Sequence, residues 1–119
     1  MIDELVSRVF AARNAAHLAH WAAEGEGSYA RHVALGDFYD GVIESIDKIV
    51  EVYQGAFGLI GKCKPRMEEG DIVDLIGAEA NWIVENREEI ARGLPPIENL
   101  LDELAALYLT TFYKLRNLR

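Results

Sequence analysis

The chain has 119 residues, half of them hydrophobic, and 20 acidic against 12 basic side chains give it a formal charge of −8. That length holds one domain with one core, and the composition is that of a globular chain. The acidic balance opposes binding along a phosphate backbone, and no stretch reaches the ~20 uninterrupted apolar residues of a membrane helix, so neither nucleic acid nor a membrane is an expected partner.

Taken in chain order, apolar spacing predicts a first helix from about Asp3 to Ala23, with Leu5, Val6, Val9, Phe10, Ala16, Leu18 and Trp21 as its apolar band. Glu24-Gly25-Glu26-Gly27 stops it, and Ser28 is expected to cap the second. That helix runs to about Gln54 on Val33, Leu35, Phe38, Tyr39, Val42, Ile43, Ile46, Ile49, Val50 and Tyr53, a length of roughly 40 Å. Gly55 to Arg66, with three glycines and Pro65, reads as a connector that could span up to ~40 Å if extended. A third helix is expected from near Asp71 to Arg92, burying Ile72, Leu75, Ile76, Ala80, Ile83 and Ile90, with Gly93 ending it. Pro96 suits the first turn of the last helix, whose stripe is Ile97, Leu101, Leu104, Tyr108, Phe112 and Leu115. An all-α, antiparallel four-helix bundle over residues 1–119, with a long connection between the second and third helices, satisfies all four apolar faces at once.

The single cysteine, Cys63, cannot form an internal disulfide, and Met1-Ile2-Asp3-Glu4 has no basic start ahead of an apolar run. A reducing cytoplasm is the expected compartment. His17 and His20, three apart, share a face of the first helix, and His32 opens the second. Further along that helix come Asp37, Asp40, Glu44, Asp47 and Glu51, the last two one turn apart. Histidine with carboxylate is a ligand set for iron, manganese or zinc. Glu-x-x-His, the di-iron bundle signature, is missing, so a metal site inside one subunit is not expected.

The run His20-Trp21, Tyr29, His32, Phe38-Tyr39-Asp40, Asp47 and Glu51 resembles the first half of the Dps proteins, the mini-ferritins of starved bacteria. Their intervals of +12, +27 and +31 from the first histidine are met by His32, Asp47 and Glu51. The likeness covers residues 14–54 well and the remainder loosely. His20-Trp21, Ser28-Tyr29, His32-Val33-Ala34-Leu35, Phe38-Tyr39-Asp40 and Tyr53-Gln54-Gly55 are closer still to short, uncharacterised Dps-like proteins of phages and bacteria. The resemblance implies a ferritin-like fold, a bacterial or phage-infected host cytoplasm, and iron or another divalent metal held by His20, His32, Asp47 and Glu51, with ferroxidase-type chemistry.

Helix geometry accommodates that ligand set only between subunits. His32 and Asp47 are fifteen residues, or ~22 Å, apart on one helix. Two copies of the second helix packed antiparallel about a two-fold near Asp40 would bring His32 of one to Asp47 and Glu51 of the other. Gly36, Asp40 and Gly41 are then expected at the interface of a homodimer, the glycines allowing close approach. Gly36 also stands where the Dps pattern has a further carboxylate; Asp37 is displaced from it by ~100° around the helix, and His17 is a possible additional ligand with it. The loss of that carboxylate favours the alternative, a non-enzymatic interaction protein that uses the bundle to bind a host partner or small ligand.

Overall fold

The computed structural model describes residues 1–119 and contains four helices and no strand: α1 (Ile2–Ala22), α2 (Ser28–Phe57), α3 (Ile72–Ala91) and α4 (Pro95–Asn117). Asp3 and Glu4 in the first turn of α1, and Lys114 and Arg116 in the last turn of α4, complement the helix dipoles. Asp71 caps α3, its Oδ2 accepting from the Asp74 N–H at 3.1 Å. Arg92 ends that helix in the left-handed region, and Pro95 and Pro96 start the next where no amide hydrogen is needed.

Two boundary expectations are corrected. The cap position of α2 is Gly27, at φ 78°, and Ser28 is already helical with no side-chain cap bond. Gly55 is also helical: α2 continues to Phe57 and stops at Gly58, where φ is 99° and the N–H closes onto the Gln54 carbonyl. A glycine inside a helix weakens it by ~1 kcal/mol, which a 30-residue helix packed along one face absorbs. The connector is therefore residues 58–71.

α1 packs on α2, α2 on α4, α4 on α3 and, more thinly, α3 on α1. Gly27 at the start of α2 approaches Arg119 at the end of the chain, and Arg87 late in α3 bonds Glu98 and Asp102 early in α4. Neighbours around this ring are antiparallel, so α2 and α3 lie on a diagonal and point the same way. The connector must return along the molecule, whose long dimension is 47 Å.

Leu5, Leu35, Phe38, Val42, Ile49, Ile76 and Ile97 are among the fully buried side chains. Phe38 and Tyr108 meet edge to face at 4.8 Å in the middle of the core. The buried face of α1 is narrower than its apolar band: Leu5, Val9, Ala12 and Ala16 point inward, whereas Phe10, Leu18 and Trp21 are exposed. Alanines let α1 sit close to its neighbours, and the larger apolar side chains fall on its flank and outer face.

Candidate functional site

The turn of residues 23–27 folds α2 back along α1 and sets His20 beside His32. Their rings stack with centroids 3.6 Å apart. His20 Nδ1 lies 2.6 Å from the His32 carbonyl oxygen, and His32 Nδ1 lies 3.0 Å from the His20 carbonyl oxygen. A carbonyl only accepts, so both Nδ1 atoms carry hydrogen and, in the neutral rings, each Nε2 keeps its lone pair. Metal-binding histidines are commonly oriented by this kind of second bond.

Gly36 makes the clasp sterically possible. A Cβ there would lie 3.2 Å from His20 Cε1 and 3.4 Å from its Nδ1, tighter than ordinary contact. Gly41 faces Leu107 of α4 at 3.4 Å. Both glycines therefore serve packing inside the chain, whatever they also allow between chains. His17 stacks on Tyr39 at 3.9 Å and meets Trp21 at 4.5 Å with the rings tilted by 47°, and Arg13 places its guanidinium 5.7 Å from the Tyr39 centroid. Arg13 Nε is buried and has no hydrogen-bond partner.

Asp37, Asp40, Asp47 and Glu51 are exposed on α2. The structure brings His17, His20 and His32 together and leaves Asp47 and Glu51 far down the same helix. Within one chain, no three His, Cys, Asp or Glu side chains converge as a metal site. Asp47 and Glu51 instead edge a groove of about 810 Å³ between α1, α2 and connector residues 60–66. Val6, Phe10, Ile46, Val50 and Ile60 supply its apolar surface. Ser7 Oγ donates to the Lys64 carbonyl at 2.7 Å, and Gln54 Oε1 accepts from the Ile60 N–H at 3.2 Å, so the connector wall is tied at both ends.

A second polar cluster was not anticipated from the sequence. Glu79 of α3 is buried in the apolar core and accepts twice from Arg8 Nη1, at 2.9 and 3.2 Å. Arg8 also donates to Glu4 and lies 4.3 Å over the Trp82 ring. Arg66 of the connector bridges Glu4 and Glu68 at 3.1 and 2.9 Å. Burial raises the Glu79 carboxyl above its ordinary range despite Arg8, whereas the hydrogen bond from Arg8 holds the Glu4 carboxyl below it. Burial, with Glu79 nearby, pushes the Tyr108 hydroxyl well above its usual pKa. The sequence signal was an acid on the inward stripe of α3, between Ile76 and Ile83.

A family model described as a family of unknown function (DUF5856) matches residues 20–115. The match takes in His20, His32, Asp47 and Glu51. No curated protein and no solved structure matches the chain.

Proposed function

Since the chain belongs to the DUF5856 family, whose function is unknown, its relatives supply no activity, and we propose one from its own geometry. The protein is a Dps-like, ferritin-fold homodimer that binds iron, or a similar divalent metal, at two equivalent sites between subunits. The observation that carries this reading is the His20–His32 clasp, whose Nδ1 bonds leave each neutral ring its Nε2 lone pair, while Asp47 and Glu51 stand exposed one turn apart on α2. A two-fold near Asp40 would join the halves. The ring α1–α2–α4–α3 with its single long crossover supports a ferritin-like bundle.

The chemistry is oxidation of Fe²⁺ by peroxide or oxygen. Each ion gives up one electron, and a peroxide takes two electrons and two protons to become two waters. Imidazole and carboxylate donors suit the ion in both oxidation states. Gly36 in place of a carboxylate supports one well-held metal per site over a bridged pair.

The test is metal content by plasma mass spectrometry on protein of known mass, before and after Fe²⁺, alongside Fe²⁺ oxidation. Stoichiometric iron and oxidation that vanish in a His32→Ala/Asp47→Ala variant are expected. Iron uptake unchanged in that variant would discard the site.

The groove beside Asp47 favours a second reading, a non-enzymatic interaction protein of phage or bacterial origin that binds a host partner or small ligand. Its volume lies within the range of ligand pockets. Protein that takes up no iron and keeps its full stability in chelator would favour this reading.

A further inference from the structure

The connector wall of the groove is built differently from its helical walls. Residues 59–70 take part in no backbone–backbone hydrogen bond, and no residue from 58 to 71 is buried. Ile60 is the one connector side chain packed against the core cluster, while Leu59 is 89% exposed and Met67 79%. Three ties hold the wall: the Ile60 N–H donates to Gln54 Oε1, Ser7 Oγ donates to the Lys64 carbonyl, and Arg66 pairs with Glu4. Two are single hydrogen bonds between neutral groups and the third is an ion pair open to solvent, kinds of contact with a small net contribution. Glycines close both ends, Gly58 at φ 99° and Gly70 at φ 114°, each with open space where a Cβ would stand. Backbone freedom, not packing, is what glycine supplies there.

A segment with few buried apolar contacts and no backbone ladder opens at far lower cost than the core on which it lies. We infer that residues 59–69 are a strap that lifts off the groove as one unit, pivoting at Gly58 and Gly70, while all four helices stay folded. Nothing in the core opposes this, because its 23-residue buried cluster is drawn wholly from the helices. Lifting the strap removes one wall of the 810 Å³ space and turns Val6, Phe10 and Val50 to solvent. The strap therefore sets access to the groove. The device belongs to the chain itself and holds whether the bundle carries metal, a partner or neither. Cys63, partly buried in the groove lining, travels with the strap and reports its position.

Labelling of Cys63 by a bulky aromatic disulfide reagent reads the opening in the whole chain, with thermal melts checking that each variant folds. The rate is expected to rise less than about twofold per molar of urea, because lifting the strap exposes little new surface; global unfolding would raise it about fivefold or more. Ser7→Ala and Gln54→Ala are each expected to quicken labelling about threefold, and together about tenfold. Effects that multiply mean that both ties break in one event. A rate as steep in urea as global unfolding would overturn the strap, since the wall would then open only with the bundle. So would a rate indifferent to both variants, which would mean that the thiol reacts with the wall in place. An effect from one tie alone would overturn the single unit and leave a fraying end.

Discussion

His20 and His32 hold one another twice, each ring nitrogen Nδ1 on the other's main-chain carbonyl, with the rings stacked at 3.6 Å. The pair staples the last turn of α1 to the first turn of α2 next to the turn that joins them. Either ring alone loses its stacking partner and one of the two bonds, so the two substitutions should not add. His20→Ala and His32→Ala are each expected to lower stability by about 1 kcal/mol, and the double variant by well under twice that. Urea unfolding of the four proteins gives the coupling directly, and strictly additive losses would show that the rings act separately.

Gly36 gives a second test of the clasp. Replacing a mid-helix glycine with alanine ordinarily stabilises a helix by ~1 kcal/mol. Here the new Cβ would press on His20 at 3.2 Å. Gly36→Ala is therefore expected to give none of that gain in the natural chain and most of it in a His20→Ala background. The same gain in both backgrounds would mean that the imidazole yields freely.

Helix identity was legible in the sequence wherever end signals and periodicity agreed. Asp71 before an apolar run, Gly93, and the proline pair at 95–96 each mark a boundary that the structure keeps. Gly55 misled because a glycine signals a helix end only where the backbone turns left-handed, and that happens three residues later, at Gly58. Phe10, Leu18 and Trp21 misled because hydrophobicity says a residue can be buried, not that room exists; the alanines of α1 fill its inner face instead. His20 and His32 could be paired from spacing across a short turn, but their mutual carbonyl bonds depend on ring orientation, which spacing does not encode. Asp47 and Glu51 stand where the spacing puts them on α2, while the groove beside them needs the path of the connector, which no local pattern supplies.

The connector is held to α1 by few contacts, of which the Arg66–Glu4 pair is one. Exposed ion pairs contribute little, typically under 1 kcal/mol. Arg66→Ala is accordingly expected to leave global stability almost unchanged while loosening the wall of the groove. Lys62 and Lys64 are exposed there. Limited trypsin cleavage after Lys62 should quicken by no more than about fivefold; the Lys64–Pro65 bond resists trypsin, and the variant lacks the natural chain's site after Arg66. Cleavage first within α1 or α2 would show that the connector is not the weakest segment.

Arg8 and Glu79 form the most heavily buried charged pair, and the two should respond differently to removal of one partner or both. Glu79→Ala leaves Arg8 with part of its head group inside and no inner partner. A loss of about 2–3 kcal/mol is expected, somewhat below a fully enclosed pair because Arg8 keeps Glu4 and some solvent. Replacing both, as Arg8→Met/Glu79→Leu, should recover most of it. The pH dependence follows from opposite shifts. Burial raises the Glu79 carboxyl, so the folded chain takes that proton first, and stability gains from Glu79 as pH falls from its raised value to the ordinary 4.5. The Glu4 carboxyl is lowered by Arg8, so its contribution is present above that ordinary value and disappears as pH falls through the folded one. Melting temperature should thus rise gently on mild acidification and drop below pH 4.5. Glu79→Gln should flatten the rise and keep the drop; a rise that survives this substitution would place its source elsewhere.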